Sequence, residues 1–186
     1  MIILGVDPGT LVTGYGLIEV ERNIVAVLEF DVIVNRKERS MPIRLRDIYK
    51  RLCTVITEYH PDEFAIETAF YGRNAQSALK IGQARGVSIL AAVNNEIPTT
   101  EYSPREVKKA VVGNGAASKD QVKFMVKSIL RIRETPKLFD ATDALAVALC
   151  HHHRTWGIKS NGNSTARHRT WASFVKANPD RVVRSR

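Results

Sequence analysis

The sequence lacks any apolar run that approaches the ~18 residues of a membrane-spanning helix. It also begins without the basic segment and cleavage site of a signal peptide, so we expect a cytoplasmic protein. Cysteine is scarce: Cys53 and Cys150 are isolated and form no CxxC pair, which is typical of a reduced compartment. A GxxxxGK[ST] phosphate loop is missing too, because the segment 113–119 has a different spacing.

Acidic residues are nearly missing from the carboxyl-terminal end. From Arg154 onward, eight Lys and Arg stand against one acid, Asp180, and this segment carries +7 of the net charge of +9. Total charge is therefore weak evidence about the rest of the chain, since a basic extension often holds polyanions without specificity. The 186 residues are too few for two ordinary domains. We expect one domain over residues 1–154 and a flexible basic tail over 155–186.

The order of extended and helical segments indicates the fold class. The predicted strands cover residues 1–7, 13–20, 23–34, 63–68 and 98–102. The first predicted helix begins after Ser40, which is a cap followed by a proline near the first helical position, and it stops at Pro61. The other predicted helices cover 74–96, 104 to about 111, 119–131 and 140–153. Three strands followed by helices that alternate with two more strands predict an α/β domain, with a five-stranded mixed β-sheet flanked by α-helices.

Four acidic residues stand at the ends of apolar segments, where a buried carboxylate is costly unless it is paired or coordinated. They are Asp7, Glu67, Asp140 and Asp143. Each has a local alternative: Asp7 suits a turn, Glu67 an exposed strand end, and the two helical residues a capped amino terminus. Because Asp7 and Glu67 each end a strand and the other two open a packed helix, we favour convergence. The pattern suggests a metal-dependent active site.

Several motifs carry a resemblance to a known family. They are Gly5-Val6-Asp7-Pro8-Gly9-Thr10, Ala65-Ile66-Glu67 with Phe70, the run from Asn74 to Gly86, the run from Val107 to Gly115, and Asp140-Ala141-Thr142-Asp143-Ala144-Leu145-Ala146. In this order, over about residues 1–153, they resemble the RuvC family of bacterial Holliday-junction resolvases, which have an RNase H-like fold. The motifs do not reach the tail.

The resemblance implies a homodimeric endonuclease that resolves Holliday junctions in recombination and DNA repair. It would nick two strands of like polarity, placed symmetrically across the four-way junction. The four acids match the family's catalytic and metal-binding positions. The resemblance further implies DNA contacts, through lysines near the scissile phosphate and through an aromatic placed against junction bases. The DNA-binding candidates are Phe70, Tyr71, Arg73, Lys80, Lys108 and Lys119.

Hydrolysis of a phosphodiester requires an activated water and neutralisation of developing charge. Two Mg²⁺ ions ~3.5–4 Å apart can supply both, so we expect two per subunit, with Mn²⁺ as a substitute. We expect RuvA–RuvB as a further partner. The helix 74–96, with Gly82 and Gly86, is the candidate dimer interface, although the same residues would also serve packing within one subunit.

Besides the junction endonuclease as the first class, two further function classes remain open, and so does the role of one histidine run. The run His151–His153 follows a helix, and neither a metal site nor a tag fits it well. The carboxylates alone would equally suit a relative that cleaves RNA or RNA–DNA hybrids. A DNA-binding module without enzymatic activity, whose acids only cap and turn the chain, is the third class.

Overall fold

The computed structural model describes residues 1–22, 24–68, 75–132 and 139–160, with only the backbone at 139, 140 and 156–160. The strands are β1 (Ile2–Asp7), β2 (Val12–Glu21), β3 (Ile24–Val34), β4 (Glu63–Glu67) and β5 (Thr99–Tyr102). The helices are α1 (Met41–Tyr59), α2 (Ala75–Val93), α3 (Pro104–Val112), α4 (Lys119–Leu130) and α5 (Phe139–Ser160). The predicted five-stranded α/β architecture is confirmed.

The five strands form one mixed sheet in the order β3-β2-β1-β4-β5. The first three strands are antiparallel neighbours, whereas β4 pairs parallel to β1 and β5 parallel to β4. The apolar first strand is thus central, and it has a neighbour on each side. This accounts for its continuous run of apolar residues, because both of its faces are covered.

The alternation of side chains along the strands divides the helices into two layers. Leu4 and Val6 of β1 lie in a core with residues of α1 and α2. Ile3 lies in a second core on the other face, with residues of α3, α4 and α5. Since side chains two residues apart share a face, Gly5 and Asp7 also face the layer of α3, α4 and α5.

Two local features differ from the prediction. Ser40 stands at the cap position of α1 but makes no side-chain capping hydrogen bond there, and Pro42 lies in the first turn as expected. Helix α5 continues to Ser160, beyond the predicted end at residue 153. Its later residues include Trp156 and Ile158, so apolar residues continue along the helix.

Residues Met1–Arg154 form one compact unit, and the remainder is Thr155–Arg186. Of that remainder the structure describes only the end of α5. The division into a nuclease domain and a tail stays a prediction. No helix among the described residues is both long and apolar enough to cross a membrane.

Candidate active site

Two carboxylates meet at one edge of the sheet. The parallel pairing of β1 with β4 aligns Val6 with Ile66, so Asp7 and Glu67 follow at neighbouring strand ends. The side chains of Asp7 and Glu67 interact through a hydrogen bond. The predicted register is therefore present. The catalytic role of the two residues stays a prediction.

A third carboxylate comes from α5. This helix packs directly on β1 at Gly5, where an added Cβ would lie 2.7 Å from the backbone nitrogen of Ala148 and would also overlap the carbonyl oxygen of Ala144. Such close contact brings Asp143, one residue before Ala144, near enough to Glu67 to act on its charge. Asp140 lies one turn earlier in α5, and its side chain is outside the described residues.

The charge of this cluster is unfavourable by itself. Burial and the negative charges of Asp7 and Asp143 raise the pKa of Glu67 from 4.5 to about 8, and the nearby Lys119 only partly opposes them. A carboxylate held among like charges keeps its proton until a cation compensates the repulsion. The cluster thus favours the binding of positive charge.

Two lysines share a cavity with the carboxylates. This cavity of ≈ 200 Å³ is lined by Glu67, Asp143, Lys108 and Lys119, and by apolar side chains of α3, α4 and α5. Lys119 Nζ lies 3.3 Å from Asp143 Oδ2. The negative charge of Asp143 raises the pKa of Lys119, so this amine stays protonated. The cavity therefore combines acidic and basic groups beside one sheet edge.

Local structure explains where the two lysines stand. Ser118 caps α4 by accepting a hydrogen bond from the backbone of Gln121, whose side chain bonds back to Ser118, so Lys119 is fixed at the first position of this helix. Ser103 and Glu106 form the same kind of capping box at α3, which carries Lys108 one turn later. Both helices thus begin beside the cavity at defined points.

Lys80 is the one remaining DNA-binding candidate that belongs to the described residues. Lys80 is exposed on α2, on the opposite face of the sheet, and it does not line the cavity. Phe70, Tyr71 and Arg73 lie outside the described residues. Their roles stay predictions.

Whether a metal ion fits this site depends on the side-chain oxygens that could bind it. Among the described side chains no three His, Cys, Asp or Glu form a group that could hold a metal ion; Asp140 is not among those side chains. Mg²⁺ is commonly held by one or two carboxylates together with water and substrate phosphate, so a closed protein cage is not required. Asp7 and Glu67, which interact directly and repel as anions, fit such an ion.

Sequence patterns missed several residues that support the site. Thr13 is fully buried, and its hydroxyl accepts from the amide of Gly9 at 3.3 Å and donates to the Gly9 carbonyl, which fixes the turn after Asp7. Gly5 is the second such residue, because it allows α5 to pack directly on β1. A glycine within a buried strand is a sequence signal of such close backbone approach. The histidine run is also explained in part, since His151 turns inward to Tyr102 while His153 contacts the carbonyl of Ala110.

The chain matches known proteins over nearly its full length. The family model described as crossover junction endodeoxyribonuclease RuvC matches residues 3–151. RuvC of Salinibacter ruber is 48% identical over 182 residues, which cover 98% of this chain and 99% of the relative. RuvC of Cytophaga hutchinsonii is 47% identical over 181 residues, covering 97% and 88%.

Solved structures agree with this match. The structure of Thermus thermophilus RuvC in complex with Holliday junction substrate is 32% identical, with a TM-score of 0.78, covering 83% of this chain and 94% of that one. The sheet, its helical layers and the matched span agree with one family. The chain belongs to the RuvC family of crossover junction endodeoxyribonucleases, whose members are metal-dependent nucleases with an RNase H-like fold.

Proposed function

We propose that this chain is an endonuclease that resolves four-way DNA junctions by nicking two strands of like polarity, in homologous recombination and DNA repair. The observation that carries the proposal is the shared cavity in which Glu67 and Asp143 face Lys108 and Lys119. Carboxylates that need a cation, beside lysines that can receive a phosphate, form the combination that phosphodiester hydrolysis requires. The junction as substrate follows the printed description of the Thermus complex.

The proposed cofactor is Mg²⁺, two ions per subunit, with Mn²⁺ as a substitute. Asp7, Glu67, Asp140 and Asp143 would hold the ions, and bound Mg²⁺ supplies charge neutralisation and a more acidic water. Asp7 stands on the central strand, so it is our choice for the ligand shared between the ions. The same donors explain why an empty cluster would hold a proton on Glu67, whose pKa is raised to about 8.

The lysines supply the positive charge that a phosphate needs before it can approach an acidic cluster. Lys119 is already tied to Asp143, so its ammonium stays beside the carboxylates. Lys108 lines the same cavity from α3. We propose that both ammonium groups contact the scissile phosphate region and orient it. We further propose that Phe70 stacks against bases at the junction centre, and that Tyr71, Arg73 and Lys80 are further DNA contacts.

A homodimer is the proposed assembly. Leu79, Leu90 and Val93 are 65%, 49% and 54% exposed on α2. Helical spacing places them with Gly82 and Gly86 on the side opposite the buried residues of α2. Among the residues that the structure describes, an added Cβ at either glycine would meet nothing within 4 Å, so no described element packs closely there. A two-fold dimer would offer two separated sites to a nearly symmetric junction.

We further propose that the RuvA–RuvB complex is a partner and that the protein acts in the cytoplasm on chromosomal DNA.

The choice of substrate distinguishes the proposed function from its two rivals, which are an RNA or hybrid nuclease and a non-enzymatic binding module. A synthetic four-way junction, a linear duplex and an RNA–DNA hybrid would be incubated with Mg²⁺. Nicking confined to the junction supports the proposal, whereas preferential cleavage of the hybrid, or binding without cleavage, overturns it.

Asp7→Asn provides the most direct test of the site. We expect it to abolish junction cleavage, since the amide cannot supply the negative charge for cation binding, and to leave junction affinity unchanged in a gel-shift measurement. Glu21→Gln is the matched control, because this side chain is 76% exposed and ends β2 at the other edge of the sheet. Retained cleavage by Asp7→Asn would exclude the assigned role.

A further inference from the structure

A buried polar network ties α5 to Glu63, at the end of β4 remote from the carboxylate cluster, and to Tyr102, which ends β5 in register with Glu67. His151 of α5 is 2% exposed, and both of its ring nitrogens have partners. Nδ1 lies 2.8 Å from the hydroxyl of Tyr102, and Nε2 bonds the carboxylate of Glu63. In the neutral imidazole the carboxylate requires a proton on Nε2, and Nδ1 then accepts from Tyr102. The imidazole is therefore held in one orientation.

This contact and the active site lie at two points of the same helix and the same strand. Asp143 and His151 are separated by eight residues of α5, or about 12 Å at helical rise. Glu67 and Glu63 are separated by four residues of β4, or about 13 Å. Both glutamates face α5, since they share a side of the strand. Helix α5 thus runs antiparallel to β4, with Asp143 near Glu67 and His151 on Glu63.

The two points differ in the kind of interaction. At the active site, Asp143 pairs with Lys119 of α4, and its charge acts against ionisation of Glu67. Between the two points the helix packs through apolar contacts, with Ala144 and Ala148 on Gly5 and Leu145 on Gly16, and these set how closely α5 approaches the sheet. The hydrogen bonds of His151 are directional, so they add a specific constraint against sliding or rotation of α5 along β4.

We propose that His151 is a positioning residue for the proposed nuclease reaction, which with Glu63 and Tyr102 sets the register of α5 on the sheet and so places Asp143 at the carboxylate cluster. The inference rests on the proposed function, because it concerns the placement of that same site. His151 touches none of the reacting groups. It acts through the helix.

A second contact at this end ties α5 to α3. Arg154 forms an ion pair with Glu106, the residue whose other oxygen completes the capping box with Ser103. The guanidinium of Arg154 also lies 5.5 Å from the ring centre of Tyr102. Helix α3 carries Lys108. The same network therefore contacts both the helix that carries Asp143 and the helix that carries Lys108.

Glu63→Gln, His151→Gln and Tyr102→Phe test the proposal in the full chain. We measure single-turnover junction cleavage, junction affinity in Ca²⁺, Mn²⁺ binding by paramagnetic resonance, and hydrogen exchange of the α5 amides. We expect cleavage to fall about 10-fold to 100-fold, since a small displacement of a reacting group has such effects. Junction affinity stays unchanged, Mn²⁺ binds more weakly, and the α5 amides exchange faster. Tyr102→Phe, which removes only the hydroxyl, gives the smallest effect.

Val55→Ala serves as a stability control, because Val55 is 1% exposed in α1 on the other face of the sheet. All variants are assayed where circular dichroism shows them folded. Wild-type cleavage rates and wild-type Mn²⁺ affinity in Glu63→Gln and His151→Gln would overturn the proposal, as would an equal cleavage loss in Val55→Ala at equal Tm. If the wild-type protein cleaves no junction, the proposed function fails, while Mn²⁺ binding and hydrogen exchange still decide whether this network positions α5.

Discussion

At the residue scale, Glu67 makes one contribution to stability depend on pH. Its pKa is raised from 4.5 to about 8 by burial and by the charges of Asp7 and Asp143. The folded state therefore binds this proton more tightly than the unfolded state. The stability it contributes is complete below pH 4.5 and is lost as the pH rises to about 8. Without divalent cations, the contribution of Glu67 to stability should fall over this window.

Glu67→Gln tests this sign, because the amide has a similar shape and does not ionise. In EDTA we expect the variant to have the higher Tm near pH 8, with the difference shrinking toward about pH 5, where Glu67 is protonated. Thermal melts followed by circular dichroism measure it. Added Mg²⁺ at the higher pH should raise the Tm of the wild type more than that of the variant. A Tm difference that does not change with pH would contradict the assignment.

At the scale of elements, the contact between α5 and β1 determines the distance between carboxylates. Gly5→Ala would place a Cβ against backbone atoms of Ala144 and Ala148, which cannot move without the whole helix. We expect a loss of about 1–3 kcal/mol in the free energy of unfolding. Cleavage should fall further than this loss explains, because α5 carries Asp143 away from Glu67. Urea unfolding and single-turnover cleavage are the measurements.

Val6→Ala is the matched control for this element. Val6 is the next residue of the same strand, is fully buried, and packs on the other face against α1 and α2. It should lose stability through a cavity without moving α5. If Gly5→Ala and Val6→Ala of equal stability cleave equally well, the contact does not position the site.

At the scale of the whole molecule, the exposed apolar face of α2 is the proposed dimer interface. Leu90→Glu would place a charge among the exposed apolar residues of this face, and a buried unpaired charge is unfavourable in an interface. We expect sedimentation velocity to shift from dimer to monomer, and paired nicks on one junction to become unlinked single nicks. Thr57→Glu, exposed on α1, is the control. A dimer that persists in Leu90→Glu would place the interface elsewhere.

The sequence alone predicted the strands and the helices, because these depend on local patterns, while the catalytic role of the four acids stays a prediction. Apolar runs that end in Asp7 and Glu67 identify strand ends. The predicted starts of the helices at 104 and 119 agree with the capping boxes that the structure shows at Ser103 and Ser118. Even the meeting of Asp7 with Glu67 could be predicted, since parallel neighbouring strands end at one edge.

Only the tertiary structure decided how α5 sits on the sheet. The contact of Gly5 with Ala148, the pair of Lys119 with Asp143 and the bond of His151 with Glu63 join residues far apart in the chain. The surroundings of Gly82 and Gly86 likewise depend on which face of α2 the other described elements cover. Local periodicity states which face of a helix is apolar. It does not state which atoms of another element that face will meet, and that pairing places the carboxylates.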